Sequence, residues 1–224
     1  MFLRHDFLFC AGMDPEEKGL IPQQEGGGQS NTDARRELGS AEAAAAFYEE
    51  VRERLLNVNG WQLLAGEAAA RFQLTDARGL EVDRAVQPGD HFKIAIPGPG
   101  NASGDGFDWV QVEAVEAGEE EGCPFTLVRV RPATNPTNEL PDVAHFFSDD
   151  ATSNFIVRRE GNTVIAAVHG RNEKPNAGAE KLIDKARNVA VGSGAIVGAS
   201  KLQWKALVEG LVADKEHPGE KERG

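Results

Sequence analysis

Six short segments with the composition of β-strands follow one another in the middle of the chain, and this series constrains the fold most strongly. They are ARFQLTD, GDHFKIAIP, DWVQVEAV, PFTLVRVRP, SNFIVRRE and NTVIAAVHG, separated by Gly, Pro, Asn and acidic clusters. Phe92, Ile94 and Ile96 alternate with polar or small residues, as expected of a sheet with one buried face. The short separations favour an antiparallel meander, and Gly161-Asn162 predicts a tight hairpin.

Helical patterns flank this series of strands. Ser40 is an N-cap residue for a segment in which apolar residues from Ala44 to Leu55 recur at helical spacing. After the strands, Asn176 can cap a helix, and Ser200 with Gln203 forms a capping-box pattern before a second helical stretch. We therefore expect an α+β fold: a curved antiparallel sheet of about six strands, packed against an N-terminal helix and a long or kinked C-terminal helix.

Composition divides the chain into a domain and two tails. Residues 1–39 are rich in Gly, Gln, Glu, Ser and Pro and lack apolar periodicity, which predicts a disordered N-terminal tail whose removal leaves the fold intact. Residues 40–213 form a single domain, and residues 214–224 form a charged tail. Because Met13 opens a plainly polar stretch, translation starts at Met1 or at Met13.

Charge and cysteine content limit the partners and the compartment. The net charge of −12 argues against nucleic acid and anionic lipid as partners, and no apolar run approaches the roughly 20 residues of a membrane span. Cys10 and Cys123 lie in unlike contexts, without the neighbours of a metal or redox site. The sequence therefore predicts no disulfide, no metal and no cofactor, and favours the reducing cytoplasm.

The sequence carries no catalytic signature. The glycine-rich stretch at residues 96–109 lacks the spacing of a phosphate-binding loop. His145 and His169 can act as acid, base or polar anchor, or can be hydrogen-bonded structural residues. Arg171 either ties the last strand to the following helix or forms with His169 a polar gate at a ligand mouth.

Large aromatic residues lie on or beside the predicted strands and helices. Most of them suit an ordinary core, and those that do not can line a cavity beneath a curled sheet. The candidates for cavity lining are Trp61, Phe92, Trp109, Phe146 and Phe147.

The stretch FYEEVRERLLNVNGWQLLAG, followed by PGDHFKIAIPGPG and WVQVEAVEAG, resembles the START/polyketide-cyclase helix-grip superfamily. The resemblance covers roughly residues 41–213 and rests on element order, Trp61, Pro88-Gly89-Asp90 and the GPG turn. It implies a concave sheet that grips a helix, often around an apolar ligand cavity. The superfamily opens with a strand before the first helix, but the sequence before Ser40 shows no strand pattern, so residues 68–75 are a possible substitute.

Three functions are compatible with these features. The first is binding of a small apolar or amphipathic molecule between the sheet and the C-terminal helix, without identified catalysis. A continuous apolar void of roughly 300 Å³ or more there would support it, and a filled interior would contradict it. The alternative is a protein-interaction module that uses an exposed apolar patch or the tails. The third is a cyclase or hydrolase-like enzyme in which His145 or His169 lies beside a carboxylate and opens to a pocket.

Overall fold

A computed structural model describes residues 15–16, 18–66, 70–95, 102–140, 142–176 and 193–214. The secondary-structure elements are β1 (Gly28–Glu37), α1 (Ala41–Leu56), α2 (Trp61–Ala65), β2 (Arg71–Thr75), β3 (His91–Ala95), β4 (Asp108–Glu120), β5 (Cys123–Pro132), β6 (Thr152–Glu160), β7 (Thr163–Glu173) and α3 (Ser193–Leu211). Short 3₁₀ turns occur at Val58–Gly60 and Ala102–Gly104.

The strands form one open antiparallel sheet in the order β1-β7-β6-β5-β4-β3-β2. This architecture confirms the predicted fold class. The β6–β7 connection is the predicted tight hairpin, since Glu160 pairs with Thr163 and Gly161 has a φ of 59°. The β4–β5 hairpin also turns through two residues, Glu121 and Gly122, and there both have positive φ.

Strand β1 corrects the prediction that residues 1–39 form a disordered tail. Gly28–Glu37 pairs with β7 from Gly28↔Glu173 to Glu37↔Thr163. None of its side chains is fully buried, so backbone hydrogen bonds rather than apolar side chains hold it in the sheet. The strand before the first helix that the helix-grip resemblance requires is therefore present, and residues 68–75 are not needed for that role.

The main core lies between one face of the sheet and the three helices. Ser40 caps α1 as expected, because its Oγ accepts a hydrogen bond from the Ala43 N–H (3.2 Å). Alternate residues of the strands, such as Phe92 and Phe155, meet the helices on this face, which we call the helix face. The helices contribute buried residues such as Val51 of α1 and Leu207 of α3.

A smaller cluster covers part of the opposite face of the sheet, which we call the back face. Ile21, only 3% exposed, packs there with Cys123, Phe125, Leu127 and Ile156. The chain ahead of β1 therefore packs on the sheet, which also contradicts a disordered tail in this region. Among the described residues ahead of β1, Leu20 and Ile21 provide the apolar contact with the sheet, and this pair shows no periodicity in the sequence.

Cys123 overturns the prediction that the chain contains no disulfide. It is buried at the start of β5 and is disulfide-bonded. The other cysteine of the sequence is Cys10, which lies outside the described residues. That prediction relied on the unlike sequence contexts of Cys10 and Cys123, and sequence context does not report which residues meet in the fold. The expectation of a reducing compartment assumed that both thiols are free, so it no longer holds.

The C-terminal helix begins earlier than the capping-box pattern indicates. α3 already spans Ser193–Leu211, so Ser200 lies within it and is not an N-cap. The helix predicted directly after Asn176, and its break at residues 192–194, fall largely outside the described residues. Asn176 itself donates hydrogen bonds to the carbonyl oxygens of Val143 (2.9 Å) and His145 (3.2 Å). Within the described part of the chain, no helix combines the length and apolar character of a membrane span.

Candidate functional site

Trp61 lies at the centre of the layer between the sheet and the helices. It is completely buried, and its indole N–H donates to the Leu55 carbonyl oxygen (3.1 Å). Its ring meets Phe72 and Phe92 edge-on, at centroid distances of 5.4 and 5.7 Å, and Phe155 at 4.7 Å. Two predicted candidates, Trp61 and Phe92, are thus in contact, and their rings fill this part of the interior.

Trp204 of α3 extends this aromatic cluster towards solvent. Its ring lies 5.2 Å from Phe155 and 6.0 Å from Phe72, and the side chain is partly exposed. Buried Leu207 and Leu211 follow Trp204 at helical spacing, so the indole lies on the face of α3 that packs on the sheet. Trp204 is not among the site residues predicted from the sequence. The helical repeat from Trp204 to Leu211 was the available signal.

A surface cleft of ≈ 320 Å³ lies elsewhere, at the C-terminal end of α1. It is lined by Glu53, Leu56, Asn57, Asp83, Arg84 and Ala85. Arg84 forms a two-pronged ion pair with buried Asp90, with N–O distances of 2.6 and 2.8 Å. The cleft is therefore large enough for a small molecule but is not between the sheet and α3, where the ligand was expected from the sequence.

Trp109 points to the back face and does not join the aromatic cluster. Its indole N–H donates to the Gly104 carbonyl oxygen (3.1 Å), and its ring lies 6.5 Å from that of His91. Burial lowers the pKa of His91, although hydrogen bonding to the Asp76 backbone and the nearby charge of Asp90 oppose this effect. This group has the contacts of a packed structural cluster.

His145, Phe146 and Phe147 lie together in the connection between β5 and β6. The His145 Nδ1 accepts a hydrogen bond from the Phe147 N–H (2.9 Å), and the two phenyl rings are 5.1 Å apart. Burial lowers the pKa of His145, and the charge of Asp108 opposes that shift. A neutral imidazole whose Nδ1 is an acceptor carries its proton on Nε2.

His169 and Arg171 lie side by side at the end of β7 and contact β1. The His169 Nδ1 lies 2.8 Å from Oδ1 of Asn31, an amide rather than a carboxylate. The fully buried Arg171 donates to the same Asn31 oxygen (2.9 Å) and to the Gly170 carbonyl oxygen (2.7 Å), and it pairs with Glu16. These contacts tie β7 to β1 and to the N-terminal segment.

The structure therefore separates the predicted site residues into three places: the aromatic cluster, the β5–β6 connection and the back face. Among the described residues, no three His, Cys, Asp or Glu side chains are grouped to hold a metal ion.

No protein-family model and no curated protein matches the sequence. Solved structures that align with the chain include the hypothetical protein jhp0584 from Helicobacter pylori, with 11% identity over 81% of this chain and 86% of that chain and a TM-score of 0.45. Others are major latex-like protein 151 from Panax ginseng (12% identity, 81% and 97% coverage, TM-score 0.35) and Ara h 8.0201 (9% identity, 84% and 100% coverage, TM-score 0.34). At these TM-scores the alignments assign neither a family nor a function.

Proposed function

We propose that the chain is a helix-grip domain that binds a small apolar or amphipathic molecule between the sheet and α3, against Trp204. The proposal rests on one observation: Trp204 caps the aromatic cluster and remains partly exposed. A partly exposed indole backed by Phe72 and Phe155 offers an apolar surface next to an ordered core. Trp61 fills the centre of the layer, which argues against a ligand enclosed there, so the proposed site is the margin of the layer beside Trp204.

The position of α3 adds support to this proposal. Leu207, Val208 and Leu211 fix the C-terminal half of the helix on the core, so the backbone that carries Trp204 is held in place. A binding residue on a rigid helix loses little conformational entropy when a ligand arrives.

Titration with the apolar fluorophore N-phenylnaphthylamine tests the proposal. Trp204→Ala should weaken probe binding by about tenfold or more, because a stacking contact worth at least ~1.4 kcal/mol is lost. Trp109→Phe is the matched control, since it alters an indole on the opposite face and should leave the affinity unchanged.

A further variant separates this site from the cleft. Ala85→Arg places a long side chain in the cleft beside α1 and should not affect probe binding. Loss of binding in Ala85→Arg with normal binding in Trp204→Ala would place the ligand in the cleft and refute the proposed site. Failure of the unaltered protein to bind any apolar probe would refute the proposed function.

A further inference from the structure

The back face of the sheet is covered by the chain's own N-terminal strap, which we define as residues 15–21; position 17 lies outside the described residues. The strap turns on itself, because the Leu20 N–H donates to the Pro15 carbonyl oxygen (2.9 Å) and the Gly19 N–H donates to that of Glu16 (3.0 Å). The strap is therefore a compact element and not a passing length of chain.

The apolar contact of the strap is Ile21. This side chain is 3% exposed and packs against Phe125, Leu127 and Ile156, which lie on neighbouring strands β5 and β6. Leu20 is partly buried at the edge of the same cluster. Without the strap, these strand residues would present an apolar patch to solvent.

Two arginines of the same face make polar contacts with the strap, and Lys18 of the strap pairs with Glu121 in the β4–β5 hairpin. The guanidinium of Arg171 pairs with the Glu16 carboxylate, and that of Arg129 donates to the Leu20 carbonyl oxygen (2.8 Å). Asn154 orients Arg129, because its Oδ1 accepts from Arg129 Nε (2.9 Å). One carboxylate and one main-chain carbonyl of the strap are thus each bound by a guanidinium group.

The environment of Arg171 makes this a demanding site for an anion. Its side chain is buried to 99%, whereas half of the Glu16 side chain is exposed. Within the described part of the chain, Arg171 Nε has no hydrogen-bond partner. A buried guanidinium without a carboxylate would be poorly solvated, so the site strongly favours an occupant that brings a negative charge.

We propose that the back face of β5–β7 is a docking site for an acidic segment of a partner protein, and that the strap occupies this site in cis. The partner segment carries a carboxylate and a following aliphatic side chain with the spacing of Glu16 and Ile21. Its carboxylate binds Arg171, its main chain binds Arg129, and its aliphatic side chain covers Phe125, Leu127 and Ile156. This site lies on the face of the sheet opposite Trp204 and is independent of the function proposed above.

The linker behind the strap is compatible with its release. Residues 22–27 read PQQEGG, and Gly27 has a φ of 73°. The linker is held mainly by polar contacts, such as those from the Glu25 N–H and the Gly26 N–H to Oδ1 of Asn172 (2.8 and 3.2 Å). Exposed contacts of this kind exchange readily with water.

The test uses the full chain and a fluorescent peptide with the sequence MDPEEKGLIPQQ, residues 13–24. A tethered strap competes at an effective concentration on the order of millimolar, so the site must first be vacated. The double variant Glu16→Ala/Ile21→Ala removes the two anchors and should bind the peptide saturably. The unaltered chain should bind it at least about tenfold more weakly.

Peptides and protein variants that each lack one side chain test the individual contacts of the strap. Peptides carrying Glu16→Gln or Ile21→Ser should each bind the double variant at least about tenfold more weakly. Adding Arg129→Gln to the double variant should also weaken binding. If the double variant does not fold, as judged by circular dichroism, the single variant Glu16→Gln, which loses one of the two anchors, should bind the peptide more tightly than the unaltered chain does.

The proposal is overturned by either of two results. One is the absence of peptide binding to a folded vacated variant. The other is equal binding of the unaltered and altered peptides to the double variant, or equal binding of the peptide by the unaltered chain and the double variant. In either case the peptide would not use the contacts of the strap.

Discussion

Arg171 illustrates what single residues reveal in this sequence and what they do not. The polar cluster HGRNEKPN was recognisable, and two roles were open for Arg171: tying the last strand to a helix, or gating a ligand mouth. In the structure its described partners are Ser30, Asn31, Gly170 and Glu16. These partners could not be predicted, because β1 and the strap lack the apolar periodicity that identifies an element.

Arg171→Ala should lower the free energy of unfolding by about 1–3 kcal/mol, because acceptors on β1 and β7 would lose a buried donor. Urea denaturation at pH 7 measures this change. Arg52→Ala is the control: Arg52 is partly exposed and pairs with Glu49 on α1 (3.0 Å), so its loss should cost less than about 1 kcal/mol. Equal stability losses in the two variants would contradict a structural role for Arg171.

His91, which is buried, and His145, which is half-buried, should make the protein less stable as the pH falls. Burial lowers the folded-state pKa of both below the ordinary value of 6.5, so between these values the unfolded chain binds more protons than the folded chain. Their contribution is therefore present above about pH 6.5 and is lost as the pH falls towards the folded-state pKa, by at most about 1.4 kcal/mol per pH unit for each histidine.

Urea denaturation between pH 7.5 and 5.5 measures this dependence, and His91→Asn and His145→Asn should each flatten it. Asp76 has a lowered pKa as well, but its titration lies below this range and does not interfere. If the stability of both variants depends on pH as steeply as that of the unaltered protein, the two histidines are not the cause of the dependence.

At the scale of elements, the sequence predicted those that bury apolar side chains. Strands β2 to β7 were found because residues such as Phe92, Ile94 and Val128 alternate, and α1 was found from its helical repeat and the Ser40 cap. Strand β1 was missed because its side chains are exposed or half-buried throughout. Backbone pairing stabilises this strand, and backbone pairing does not require particular side chains that could be recognised in the sequence.

Removal of β1 should therefore destabilise the fold, contrary to the expectation from sequence for residues 1–39. A chain beginning at Gln24 loses the strap but keeps β1, and a chain beginning at Gly39 loses both. The second should melt at least about 10 °C below the first, because β7 becomes an unpaired edge and the contacts between α3 and β1 are lost. Thermal melting followed by circular dichroism tests this, and melting points within about 2 °C of each other would contradict it.

The contact between α2 and α3 depends on a glycine. A Cβ atom at Gly210 would lie 2.1 Å from the Leu64 carbonyl oxygen, so no side chain fits between the helices. Gly210→Ala should cost about 1–3 kcal/mol despite the better helix propensity of Ala. The neighbouring exposed Glu209→Ala is the control and should change stability by less than about 0.5 kcal/mol. A stabilising effect of Gly210→Ala in urea denaturation would show that the two helices are not in close contact.

At the scale of the whole molecule, the sheet has two differently used faces. The helix face holds an apolar core with Trp61 at its centre, and the residues for this core could be selected from sequence as large aromatics on predicted elements. The back face holds Arg171, Arg129 and Cys123 beneath the strap. That arrangement depends on contacts between residues far apart in the chain, and a single sequence gives no signal for such contacts when they are polar or covalent.

The disulfide of Cys123 provides the last test of this two-faced arrangement. The denatured, unreduced protein should not react with a maleimide, whereas the reduced protein should react at both cysteines of the sequence, as measured by intact-mass analysis. Cys123→Ser is the control and should show one reactive thiol without reduction. Cys123 lies in the same apolar cluster as Ile21. Reduction of the disulfide should therefore also weaken the packing of the strap on the sheet and increase binding of the peptide of residues 13–24. Two reactive thiols in the unreduced protein, or a covalent dimer on a non-reducing gel, would contradict an intramolecular disulfide.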